Sequence, residues 1–223
     1  NMAYRVGHSL GENMNIPTRI TVARIALVVA LLIGLFVCTC IPNLDVSAFE
    51  MDGVNLIYLI AMLVFVIAAS TDFIDGYLAR KWHQVTNLGK FLDPVADKML
   101  VNSMLIFLIF PWDFLGEGQL LMPAFAVIIM VVRDLVVDAI RFIAAQRGIV
   151  VAANIFGKLK TVFQMIAIPL VLLNGWPFSY FDSSWPSYCR IAMIFVYIAT
   201  FFSLLSGIIY VYQNRHVLKE GNK

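Results

Sequence analysis

Asp72-Phe-Ile-Asp75-Gly76-Tyr-Leu-Ala79-Arg80, followed after eight residues by Gly89-Lys-Phe-Leu-Asp93-Pro-Val-Ala-Asp97, decides how the chain is read. Long apolar segments flank this stretch on both sides. Carboxylates at the ends of such segments are costly near a bilayer, and intramembrane acids are functional by default. Asp72 and Asp75 are three apart and share one helix face, and Asp93 and Asp97, four apart, share a face of the next helix. The connection between them is short, so the two helices are expected to be antiparallel neighbours that point four carboxylates at one spot. Like charges in a low dielectric repel unless a cation lies among them. All-oxygen ligation suits a hard divalent ion such as Mg²⁺, Mn²⁺ or Ca²⁺. Four carboxylates suffice for two ions about 3.5–4 Å apart, a clamp for phosphoryl transfer. Gly76 and Ala79 fall on the acidic face and leave room for a ligand, Arg80 beside them suits a diphosphate, and Gly89 permits a tight turn into the next helix. Acids that merely cap helix ends would explain any one of the four, but not the whole set at these spacings.

Working outward, 61% of the 223 residues are hydrophobic and 13% are charged, against roughly 45–50% and about 25% in a soluble domain. The expected class is an all-α integral membrane protein. Six segments approach the roughly 20 apolar residues of a span: about Pro17–Val37, Val54–Arg80, Phe91–Phe110, Leu120–Gln146, Gly157–Leu173 and Arg190–Gln213. The connections Cys38–Gly53, Pro111–Gln119 and Asn174–Cys189 carry acids and no Lys or Arg, whereas the alternate side carries Arg80, Lys81, Lys90, Arg147, Lys158, Lys160 and Arg215. This asymmetry places both termini and the acidic cluster on the cytoplasmic side. Residues 1–13 are polar, precede Met14, and read as an expression remnant or a disordered leader, leaving 14–223 as one domain. Cys38, Cys40 and Cys189 lack metal-type spacing and read as thiols buried within helices. The aromatic segment Trp176–Tyr188 suits the outer interface and is given no catalytic role.

A second cluster is basic. Arg133 and Arg141 lie eight apart on one face of the fourth segment, and Gly157-Lys158-Leu-Lys160-Thr161 opens the fifth. Arg133 sits well inside an apolar run, where an unpaired charge is expensive. The four cations together fit a phosphate. Alternatively, Arg133 pairs with Asp134, Asp138 or a motif acid, and the lysines only enforce orientation. Thr21 and Arg24 share a face of the first segment, either reaching a nucleotide or bracing neighbouring helices. Lys98 is a candidate partner for a headgroup or a substrate phosphate.

Asp-x₂-Asp-Gly-x₂-Ala-Arg-x₈-Gly-x₃-Asp-x₃-Asp resembles the signature of the CDP-alcohol phosphotransferases at every position. The resemblance implies a six-helix enzyme that moves a substituted phosphate from a CDP-linked lipid to an alcohol and releases CMP. It implies two Mg²⁺ or Mn²⁺ ions, one on Asp72, Asp75 and Asp93 and the other on Asp72, Asp93 and Asp97, with Asp97 as general base. It implies a CDP site formed by Gly76, Ala79, Arg80 and Gly89, to which Thr21 is added. Asn15-Ile-Pro17 with Thr21 and Arg24, Gly89–Lys98, and Arg133 to Thr161 are similar to the subgroup that makes phosphatidylglycerophosphate. Its donor is CDP-diacylglycerol and its acceptor glycerol 3-phosphate, whose phosphate Arg133, Arg141, Lys158 and Lys160 would hold. Thr18, Asp134, Asp138 and Ile140 depart from that subgroup's usual residues. The resemblance also implies a homodimer in the cell membrane, with the site open to the cytoplasm; no nucleic acid is expected as a partner. Rival readings are a phosphatidylinositol-phosphate, cardiolipin or phosphatidylserine synthase and, from another class, a divalent-cation transporter.

Overall fold

The computed structural model describes residues 16–41, 54–81, 87–112, 119–149, 151 and 154–215. The leader 1–13 and His83 lie outside the described residues. The elements are α1 (Ile16–Cys40), α2 (Leu56–Lys81), α3 (Asn87–Phe107), α4 (Ala124–Gln146), α5 (Ile155–Leu172), the short α6 (Ser179–Asp182), a 3₁₀ turn (Ser187–Cys189) and α7 (Ile191–Gln213). There is no β-strand among the described residues.

Each of the six apolar segments forms a helix, with shifted ends. The third begins at Asn87 rather than Phe91, because its first turn, Asn87-Leu-Gly-Lys90, is too polar to register as part of an apolar run. The fourth begins at Ala124 rather than Leu120. Pro123, in an extended conformation, is its N-cap, and the three residues before it are not helical. That stretch is pinned from a distance: Leu120 N–H donates to the Asn174 side chain at 3.0 Å, and Met122 N–H to the Leu108 carbonyl at 2.9 Å.

Thr18–Cys40, Ile155–Leu172 and Ile191–Gln213 are long and apolar enough to cross a membrane, and Leu56–Thr71 is a shorter apolar helix. At 1.5 Å per residue α1 extends roughly 37 Å, enough for a hydrocarbon core of about 30 Å. Large apolar side chains also point outward: Phe36, Phe142, Leu135, Phe201 and Ile208 are each more than 60% exposed. Water would penalise that surface, whereas lipid does not.

The helices form two groups. In one, α1 packs along α2 and α3; in the other, α7 packs along α5 and α4. The groups meet where α2 touches α5 and where α3 touches α4 and α5. One apolar core, with Tyr58, Phe65, Leu100, Met104, Met130, Ile168 and Val196 fully buried, runs through both. Beyond α5 the chain turns back under exposed Trp176, Tyr180, Phe181 and Tyr188. Within that segment Asp182 is wholly buried and accepts the Ile191 N–H at 2.7 Å, capping α7 from nine residues upstream. The cysteines differ from expectation. Cys38 is half-buried, Cys40 ends α1 exposed, and Cys189 is exposed in the 3₁₀ turn; all three are free thiols. Two of them sit at helix or turn ends, where neighbouring helices do not cover them.

Candidate active site

The acidic motif is carried on α2 and α3, which are joined by residues 82–86 and pack together. Asp72, Asp75, Gly76, Ala79 and Arg80 fall in the last turns of α2, and Gly89, Asp93 and Asp97 in the first turns of α3. Their helical spacing puts each acid pair on one face. Apart from Asp97, the side chains of these residues lie outside the described part of the molecule. Among the described residues no cluster of His, Cys, Asp or Glu stands ready for a metal.

Asp97 opens onto a cavity of about 220 Å³ between α3, α4, α5 and α7. Arg133, Arg141, Lys158 and Lys160 all line it, so the structure gathers the basic cluster and one acid of the motif in one place. On α5, Gly157, Thr161 and Gln164 follow one another at four and three residues, and Lys160 precedes Gln164 by four, so one helical stripe faces the cavity. Asn154 begins that helix: its side-chain oxygen accepts the Phe156 N–H at 3.2 Å, which leaves its NH₂ facing elsewhere.

Asp134 ties the cations together. Lys160 Nζ donates to both of its carboxylate oxygens, at 2.7 and 2.9 Å, and Arg133 Nη1 donates at 3.0 Å. Lys160 is 4% exposed and Asp134 8%, so this is a buried ion pair that bolts α5 to α4. Lys98 donates to Asp138 across α3 and α4, in a more open setting. Arg133 therefore meets Asp134, one of the acids the sequence offered it, while still lining the cavity, and Lys98 has a protein partner. Asp134 and Asp138, which the sequence offered as partners for Arg133 as well as departures from a subgroup pattern, are counter-charges of this site. A lysine and an aspartate in apolar helices are not buried singly, but which acid meets Lys160 is settled only by packing. Among the described residues, against Asp97, Asp134 and Asp138, the cations Lys98, Arg133, Arg141, Lys158 and Lys160 keep a surplus of two positive charges.

Arg133 reaches the cavity through a slot formed by two glycines. A Cβ on Gly157 would stand 2.7 Å from Arg133 Nη2, and one on Gly207 would stand 3.0 Å from its Cγ. The arginine stem therefore passes α7 at Gly207 and its head comes up beside the start of α5. Arg141 lies against Tyr210 of α7, donating from Nε to the phenol oxygen at 3.3 Å. Gly207 and Tyr210 carry no sequence signal of their own, since nothing in α7 marks them as facing a polar cavity. Thr21 does not line the cavity. It is buried with Thr18 and Arg24 on α1, which packs against α2 and α3.

Comparison with known proteins is specific. A model of the CDP-alcohol phosphatidyltransferase family matches residues 14–205. The chain is similar to the CDP-diacylglycerol–glycerol-3-phosphate 3-phosphatidyltransferase of Bacillus subtilis, with 39% identity over 93% of this chain and 99% of the relative. It is similar to the proteins of that name from Mycoplasma pneumoniae, at 35% identity over 92% of this chain and 89% of the relative, and Escherichia coli K12, at 34% over 82% and 86%.

Proposed function

The chain belongs to the CDP-alcohol phosphatidyltransferase family, and we propose that it transfers the phosphatidyl group of CDP-diacylglycerol to glycerol 3-phosphate, yielding phosphatidylglycerophosphate and CMP. The observation that carries the acceptor is the cavity itself: Asp97 opens onto it together with a surplus of two positive charges. A phosphate monoester near neutral pH carries close to two negative charges, so the acceptor's phosphate fits the cation cluster while its hydroxyl lies towards Asp97.

In this reading Arg141, Lys158, Lys160 and Arg133 hold the acceptor phosphate, with Asp134 keeping Lys160 and Arg133 in place. Asp97 takes the proton from the attacking hydroxyl as that oxygen bonds to the phosphorus bearing the diacylglycerol. The bond from that phosphorus to the bridging oxygen breaks, and CMP departs with the electron pair. Arg80, Gly76, Ala79 and Gly89 lie against the CDP group, with Thr21 bracing α1 behind it. The donor set, four aspartates on two packed helices and no nitrogen or sulfur ligand, suits Mg²⁺ or Mn²⁺ on Asp72, Asp75, Asp93 and Asp97. Bound there, two such ions would neutralise the diphosphate and stabilise the CMP leaving group.

The six long helices lie side by side as spans of the cell membrane, with both termini and the cavity on the cytoplasmic side, as the Lys and Arg asymmetry supports. The enzyme works as a homodimer, as its family resemblance implies. CMP release by the purified protein from CDP-diacylglycerol, with Mg²⁺ or Mn²⁺, tests the reading against glycerol 3-phosphate, inositol phosphate, inositol, serine and phosphatidylglycerol. Metal-dependent release with glycerol 3-phosphate alone is expected. Release with another alcohol instead would keep the reaction and discard the acceptor. Ion flux through reconstituted protein without CMP release would replace the enzyme reading with transport.

A further inference from the structure

The cation cluster accounts for the acceptor's phosphate and Asp97 for its reacting hydroxyl, but neither accounts for the unpaired amides deeper in the same cavity. Gln164 is 1% exposed, lines the cavity, and has no hydrogen-bond partner for its Nε2. Asn102 lines it too, with a buried Oδ1 that lacks a donor. Native proteins pair the large majority of buried polar atoms, and leaving one unpaired is costly. Four unpaired polar atoms thus belong to residues lining one cavity: Arg133 Nε and Asn154 Nδ2 among the cations and at the start of α5, and Gln164 Nε2 and Asn102 Oδ1 beyond them, the pair left for a further ligand group.

Their place in the helices says which part of a ligand this is. Gln164 lies one turn beyond Lys160 along α5, roughly 6 Å deeper. Asn102 lies five residues beyond Asp97 along α3, roughly 7.5 Å deeper. They form the floor of the cavity, beyond the cations that surround the start of α5. An unsatisfied donor and an unsatisfied acceptor match one chemical group, a hydroxyl, which accepts from the first and donates to the second. Turned either way, each primary amide still offers one of each.

We infer that Gln164 and Asn102 read the non-reacting hydroxyl of the acceptor, so that the site selects a phosphorylated polyol over a phosphorylated simple alcohol. This rests on the acceptor reading above and adds specificity to it. At about 220 Å³ the cavity has room for a three-carbon polyol phosphate. A site built to bond a hydroxyl rejects the analogue that lacks it far more strongly than an apolar pocket rejects a lost methylene.

The test compares glycerol 3-phosphate with 3-hydroxypropyl phosphate, which keeps the primary hydroxyl and the phosphate and lacks the middle hydroxyl. The wild-type protein should prefer glycerol 3-phosphate in kcat/KM by at least about a hundredfold. Gln164→Leu removes an unpaired buried amide and should fold at least as well as wild type. It should lose most of its kcat/KM for glycerol 3-phosphate, hold its value for the deoxy analogue, and so cut the preference to about tenfold or less. Asn102→Leu should do the same independently. A wild-type protein indifferent to the missing hydroxyl, or variants in which both substrates fall together, would overturn the inference while leaving the reaction and acceptor intact. No CMP release from wild type with glycerol 3-phosphate would remove the acceptor reading and this inference with it.

Discussion

Gly157→Ala isolates the placement of one guanidinium. The added methyl would stand 2.7 Å from Arg133 Nη2, about a full ångström inside ordinary contact between heavy atoms. The atom that must yield is the far end of a flexible side chain, so the backbone need not move. Alanine in the first turn of α5 is no worse a helix former than glycine, and in a helix interior the exchange favours alanine by about 0.8–1.0 kcal/mol. Stability should therefore change by no more than about 1 kcal/mol in either direction. Function should suffer more. An arginine moved off its phosphate forfeits a charge-assisted bond of about 1.5–3 kcal/mol, or roughly a ten- to hundredfold rise in acceptor KM at 1.4 kcal/mol per decade. The assay is CMP release with CDP-diacylglycerol saturating and glycerol 3-phosphate varied, beside thermal unfolding in detergent. The KM for CDP-diacylglycerol should stay within about twofold, because Arg133 serves the other substrate. A wild-type acceptor KM, or equal rises for both substrates, would refute the assignment of Arg133 to the acceptor phosphate.

Three further outcomes are expected. Asp134→Leu should destabilise the protein by about 3–5 kcal/mol, since it strands Lys160 in a buried site; combining it with Lys160→Met should restore most of that stability on unfolding in detergent, but not the use of glycerol 3-phosphate. Asp138→Asn, which breaks the more exposed pair with Lys98, should cost no more than about 1 kcal/mol by the same measurement; a loss as large as that of Asp134→Leu would show that this pair too is effectively buried. Asp97→Asn should abolish CMP release while equilibrium binding of CDP-diacylglycerol in the presence of Mg²⁺ is largely retained, and full turnover in that variant would remove Asp97 as the base.

The long helices were legible because their apolar runs have few interruptions, and the acidic motif because its spacing repeats helix geometry. Helix ends were less so. Asn87–Lys90 joins α3 despite its polarity, and Leu120–Met122 leaves α4 because of bonds to Asn174 and Leu108, which no local pattern encodes. The basic cluster could be read from charges that have no business in apolar segments. Its internal pairing could not, because Lys160 and Asp134 are 26 residues apart and meet only through packing. Gln164 and Asn102 are single amides in hydrophobic runs, and only the shape of the cavity singles them out.

The division into two helix groups has a consequence for how such an enzyme can diversify. The residues proposed for the nucleotide and metals belong to α2 and α3, with α1 packed against them, whereas most of those proposed for the acceptor belong to α4 and α5, backed by α7. The face they share is narrow, and Asp97, Lys98 and Asn102 reach the cavity across it from α3. A lineage could thus remodel one bundle to accept a new alcohol while inheriting the chemistry of the other unchanged, much as a lathe takes a new tool without a new motor.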